Sequence, residues 1–282
     1  MYVCNKSYSG KFGVNGQRVA HFLDADGLVL RFEFRPPVAN GHSSSSRVKF
    51  TSRFVETEGY CEEKVAQDFT KRGTFGTAPR GLTSVFGESS KRGLNEDPDE
   101  KPPILARIAA NALNVDIKNT ANTQVVAFGG KLLALWEAGM PYHLDPTTLR
   151  TIGQDFLGVT DSLAGKLAVN YIPGLPEKYQ PDILGGKAHT AHPKMCPLTG
   201  HLVGWTWAQN PLDGSMEVVF TEYDSDGFKV VATETHTLEN CALAPHDMVL
   251  TEHYIMLKFN ALKLNQVPFL SGAQGKHAQV CM

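Results

Sequence analysis

Polar and apolar residues alternate along much of this chain with a period of two, as expected of strands with one buried face. The clearest run is 47–55, where Val48, Phe50, Ser52 and Phe54 fall on one side and Arg47, Lys49, Thr51 and Arg53 on the other. Residues 17–23 and 28–35 flank Asp24-Ala25-Asp26-Gly27, and residues 215–223 and 228–236 flank Asp224-Ser225-Asp226-Gly227. Asp and Gly accept the positive φ angles of tight turns, so both runs predict hairpins. Thr123–Phe128 and Lys131–Ala138 predict another across Gly129-Gly130. Pro141–Leu144 and Leu149–Ile152 follow across Asp145-Pro146-Thr147-Thr148. A fainter echo comes later: a turn at 193–200 leads into a strand at Leu202–Trp207, and an apolar strand is expected at Met248–Lys258. Short strands with turn signals about every ten residues predict an all-β sandwich, barrel or propeller. The echo of a turn plus three or four strands favours propeller blades.

Three stretches break the rhythm. Residues 40–46 form a polar, serine-rich tip, residues 86–103 have the composition of a disordered loop, and residues 155–186 carry Pro173, Pro176 and Pro181 and predict an insert. Ile104–Leu113 is the best helix candidate, with Ile104, Leu105, Ile108 and Ala109 on one face. No boundary divides the rest, so residues 1–282 are expected to be one partial domain.

Composition narrows the function. A net charge of −2 offers no basic surface, which removes nucleic acid from the expected partners. No apolar run reaches the roughly 18 residues of an ordinary spanning helix. Five cysteines, Cys4, Cys61, Cys196, Cys241 and Cys281, are odd in number and never spaced C-x-x-C. They predict free thiols and no cysteine zinc site. Neither D-x-D-G run completes a calcium loop: Phe22 stands where the first ligand belongs in one, and Thr233 where the closing Glu belongs in the other. Glu33 alternates with Arg31 and Arg35 as the polar face of a strand.

Ten histidines remain, with no G-x-S-x-G elbow and no phosphate loop. His192 precedes Pro193, which biases its backbone to extended geometry. His246 sits between Pro245 and Asp247 at the head of an apolar strand. His189 lies three residues before His192, and on a strand that spacing sends the two side chains to opposite faces, so His189 is set aside.

At these residues the chain resembles a known family. Ala191-His192-Pro193-Lys194, followed by Pro197-x-Thr199-Gly200-x-Leu202, resembles the segment carrying the first iron-binding histidine of the carotenoid cleavage oxygenases. Pro245-His246-Asp247, followed by Thr251-Glu252-x-Tyr254, resembles the segment carrying the second. The stretch from Trp136-Glu137-x-Gly139 to Pro146-x-Thr148-Leu149 is similar to a blade-forming stretch of the family. Earlier in the chain, Asn15 to Gly27, Arg53-Phe54-Val55-x-Thr57-Glu58-Gly59 and Asn119 to Thr123 resemble further family segments and fall in family order.

The resemblance implies a seven-bladed β-propeller, present here as an incomplete set of blades. It implies Fe(II) held by four histidines, with His192 and His246 as two of them. Glu137 matches an outer glutamate that orients an iron-bound imidazole. The implied reaction is cleavage of a double bond in a carotenoid or apocarotenoid by O2, yielding two carbonyl products. A patch for a peripheral membrane surface is implied at Leu262, Leu264, Val267, Phe269 and Leu270, and either a plastid or a cytoplasmic home fits. The third and fourth histidines would lie beyond Met282, because His253 and His277 match no ligand motif, so this chain alone is expected to be inactive. Cys196 departs from the family, which carries Asp in that turn. Three rival readings stay open: a retinoid isomerohydrolase-like member, a non-catalytic propeller binding module, and a calcium-dependent propeller lactonase or esterase.

Overall fold

A computed structural model describes residues 2–3, 19, 21–34, 47–74, 77, 117–157, 185–209, 215–239, 245–259, 262–264 and 279–281. Within them the fold is mostly β: sixteen strands in five antiparallel sheets that follow one another along the chain, with few helical residues.

The first sheet holds β1 (Tyr2–Val3), β2 (Leu28–Phe34) and β3 (Val48–Phe54) in that order. Among the described residues the hairpin expected between 17–23 and 28–35 is not seen. Phe22–Asp24 is a single 3-10 turn, and β2 pairs with β1 and β3. The cause is the pair of carboxylates. Asp24 is buried and accepts the Thr77 N–H, while Asp26 reaches Lys118, so the D-x-D-G run faces the interior. After β3 comes α1 (Glu58–Ala66), capped by the Thr57 hydroxyl, which accepts the Tyr60 N–H. Gln67 ends the helix in the left-handed region at φ 57°. The Ile104–Leu113 helix and the 86–103 loop lie outside the described residues, as does most of the 155–186 insert.

The second sheet is the expected meander: β4 (Gln124–Phe128), β5 (Lys131–Leu135), β6 (Tyr142–Leu144) and β7 (Thr151–Gln154), each paired with the next. Gly129 and Gly130, at φ 52° and 75°, supply its first turn. The third sheet joins β8 (Gly185–His189), β9 (Lys194–Met195), β10 (Leu202–Gln209), β11 (Met216–Tyr223) and β12 (Val230–Leu238). Its order is β12-β11-β10-β8, with β9 on the far end of β10. Here Asp224–Gly227 does turn a hairpin, between β11 and β12. The apolar strand expected at Met248–Lys258 is instead two strands, β13 (Pro245–Leu250) and β14 (Ile255–Phe259). Thr251 breaks the run, its hydroxyl accepting the Tyr254 N–H. The fifth sheet is β15 (Leu262–Leu264) with β16 (Gln279–Cys281).

Period two explains how the sheets stack. On β5, Leu132 and Ala134 face Val29, Val55 and Leu144, while Leu133 and Leu135 face Leu202, Tyr223 and Phe228. On β10, Leu202 looks back to the second sheet, while Trp205 and Trp207 look forward to Met216, Val218 and Met248. The second sheet at β5 and the third at β10 are therefore packed on both faces, whereas β12 and β14 are largely exposed. Among the described residues the sheets do not close into a ring.

Candidate metal centre

Three side chains singled out in the sequence meet at one point, each brought by a different sheet. Glu137 follows β5, in a turn fixed through its main chain. The Trp207 indole N–H donates to the Glu137 carbonyl at 3.3 Å, and the His189 N–H donates to the Gly139 carbonyl at 3.2 Å. His192 lies in the link between β8 and β9, where its N–H is taken at 3.0 Å by the hydroxyl of buried Thr190. His246 lies on β13 at a bulge. Pro245 opposes Phe259 and Asp247 opposes Lys258, leaving His246 without an opposite residue. A bulge of this kind swings the extra side chain out of the regular alternation.

One ligand atom from each of Glu137, His192 and His246 lies within 4.8 Å of the others. The two imidazoles sit 4.8 Å apart, tilted by 71°. His192 Nε2 is 3.5 Å from Glu137 Oε1, and His246 Nδ1 lies against the same oxygen. Both ring nitrogens are closed off from solvent without a well-formed hydrogen bond. Buried polar atoms in that condition are costly unless something joins them. Two imidazoles and a carboxylate form a donor set that suits a divalent transition metal.

The other histidines are used differently. His189 is fully buried, its Nδ1 2.9 Å from the Thr190 carbonyl, and burial pushes its imidazole down to about 4. It is therefore neutral, donates from Nδ1, and stays outside the cluster. His201 pairs with Glu222 at 2.8 Å and His236 with Glu234 at 3.3 Å. His253 stands in the exposed turn between β13 and β14, and His277 lies outside the described residues. Leu262 and Leu264 fall on β15, whereas Val267, Phe269 and Leu270 lie outside the described residues. Of the five cysteines, Cys61 and Cys196 have described side chains, and both are free thiols.

Sequence reasoning missed two supports of this centre and one ion pair beside it. Trp207 acts from 70 positions away, a separation that leaves no local signal. Thr190 could have been noticed as a hydroxyl two residues before His192. Lys194 and Asp247, 2.8 Å apart, are opposite charges placed just after the two histidines.

The sequence pattern of the retinal pigment epithelial membrane protein family matches residues 5–279. The apocarotenoid-15,15'-oxygenase of Synechocystis sp. is 30% identical over 94% of this chain and 43% of its own length. The chloroplastic carotenoid cleavage dioxygenase 7 of rice is 30% identical over 96% of this chain and 42% of its own. Resveratrol cleavage oxygenase 1 of Botryotinia fuckeliana is 31% identical over 83% of the chain. Among solved structures, a chimera of the apocarotenoid oxygenase and the retinal pigment protein superposes with a TM-score of 0.67. It is 27% identical and is matched over 96% of this chain and 46% of its own. A cobalt-substituted Synechocystis apocarotenoid oxygenase superposes with a TM-score of 0.65. The chain thus spans less than half the length of the curated relatives it matches. With its pattern matched almost end to end, the chain belongs to the retinal pigment epithelial membrane protein family, that of the carotenoid oxygenases.

Proposed function

We propose that these residues form part of a non-haem Fe(II) dioxygenase that cleaves one double bond of a carotenoid or apocarotenoid into two carbonyl products. The observation that carries the reading is the convergence of His192, His246 and Glu137 from three successive sheets onto one point. In this reading residues 1–282 supply part of a seven-bladed propeller, with each ligand on the inner end of its blade. His192 and His246 hold the ion, and further histidines join from outside these residues. Neutral imidazoles leave Fe(II) its charge, and open positions give it a place to bind dioxygen.

The remaining roles belong to the protein's own atoms. Glu137, whose Oε1 lies against His246 Nδ1, would accept that Nδ1–H when metal orders the ring, which would fix the tautomer and leave Nε2 for the ion. The hydrogen bonds that the Trp207 indole and the His189 N–H donate to the main chain keep the Glu137 turn from drifting. Thr190 holds the His192 backbone, so that only the side-chain torsions of His192 need ordering when metal binds. The chloroplastic rice relative supports a plastid location. Among the described residues no helix is long and apolar enough to cross a membrane.

The test is aerobic turnover of the natural polypeptide containing these residues, reconstituted with Fe(II) and offered apocarotenoids, resveratrol and isoeugenol in parallel. Two aldehyde fragments from an apocarotenoid, lost in the His192→Ala, His246→Ala double variant, are expected. Fragments from resveratrol or isoeugenol alone would replace the polyene substrate with a phenolic alkene. Equal turnover by the double variant would sink the reading.

A further inference from the structure

We propose that Lys194 and Asp247 are positioning residues: their ion pair clasps the two histidine segments together and so sets the spacing of His192 and His246 around the metal. The inference rests on the metal-centre reading above. Lys194 Nζ is 2.8 Å from Asp247 Oδ1. Lys194 lies two residues after His192, and Asp247 follows His246 directly. The two histidines belong to different sheets, and no ladder of main-chain hydrogen bonds joins the described residues of β9 to β13. Their relative placement therefore depends on side chains.

The two ends of the clasp are anchored unequally. Asp247 is rooted in the core. It is the first paired residue after the bulge, and its Oδ1 also accepts the N–H of Met248, which is buried against the third sheet. Lys194 stands on β9, which is only two residues long and paired to β10 only through Val203 and Leu202. The link carrying His192 is thus the looser side, and the lysine ties it to the firmer one. Both partners are partly exposed, so the pair adds little to global stability. Its effect falls on geometry, where a ligand displaced by about 1 Å no longer meets the ion well.

Charge reversal separates a clasp from a simple field effect. A field acting on a nearby cation would make Lys194→Glu bind metal more tightly and Asp247→Lys more weakly. A clasp requires both single variants to bind more weakly and the exchanged pair, Lys194→Glu with Asp247→Lys, to recover. The measurement is an optical titration with Co(II) of the natural polypeptide containing these residues, alongside urea denaturation. Each single variant is expected to weaken Co(II) binding about tenfold, the scale seen for supports of metal ligands. The exchanged pair is expected to return to within about threefold of the parent, with all urea midpoints alike. Single variants that bind like the parent, that shift in opposite directions, or whose exchange brings no recovery would overturn the clasp. A His192→Ala control distinguishes the two failures. If it leaves Co(II) binding intact, the metal-centre reading is wrong; if it abolishes binding while the charge variants change nothing, the clasp alone is wrong.

Discussion

At the scale of single residues, similar histidines are put to opposite uses by their surroundings. His192 and His246 present ring nitrogens to a shared carboxylate. His189, three positions earlier than His192, is sealed in the core, where its Nδ1–H meets the Thr190 carbonyl and its ring lies 6.3 Å from that of Tyr223. Its other nitrogen fits only because position 204 is glycine, since a Cβ there would come within 2.5 Å of Nε2. Burial lowers this imidazole from its ordinary value of 6.5 to about 4. A depressed folded value favours the neutral form, so the stability it contributes is whole above pH 6.5 and is lost as pH falls towards 4. By linkage the loss at pH 5 relative to neutral pH comes to about 2 kcal/mol. Urea denaturation at pH 7.5 and pH 5 checks this. His189→Gln, which cannot take up the proton, is expected to show a smaller drop, and an equal drop would assign the effect to other groups.

At the scale of elements, legibility followed the alternation of side chains. β3, the β4–β7 meander and the β11–β12 hairpin were all readable because one face of each run is apolar or its turn carries Gly or Asp at the right place. The reading failed where long-range contacts outvoted local chemistry. Asp24-Ala25-Asp26-Gly27 has the letters of a hairpin turn, but its carboxylates are claimed by Thr77 and Lys118, more than fifty positions away. Helix α1 was invisible because its sequence, Glu58–Ala66, has no apolar stripe; it is held instead by its cap and by Glu63. Glu63 and Asp26 both reach the Lys118 ammonium, at 2.5 and 2.8 Å, tying the helix and the Asp24–Gly27 run to the segment that leads into the second sheet. Burial raises both carboxyls, while Lys118 draws them back down. Removing the cation should therefore hurt more than the exposed ion pairs suggest. Lys118→Met is expected to cost about 3–5 kcal/mol, the range for one partner lost from a buried pair. A change below about 1 kcal/mol in chemical denaturation would show that the cluster has no such role.

At the scale of the whole molecule, the first four sheets pack in chain order through the apolar faces of β5 and β10, and three successive sheets each bring one side chain to a common point. The meeting of His192, His246 and Glu137 was foreshadowed because their flanking residues resemble family segments motif by motif. Their supports were not, since Trp207 and the β13 bulge act through register, which no local spacing records. The most direct measurement is the iron bound by the natural polypeptide containing these residues, reconstituted anaerobically with Fe(II) and desalted. One iron per chain is expected, falling below about a tenth in His192→Ala and in His246→Ala, with affinity about 10–100-fold weaker in Glu137→Gln. Full iron retention in both histidine variants would contradict the proposed centre.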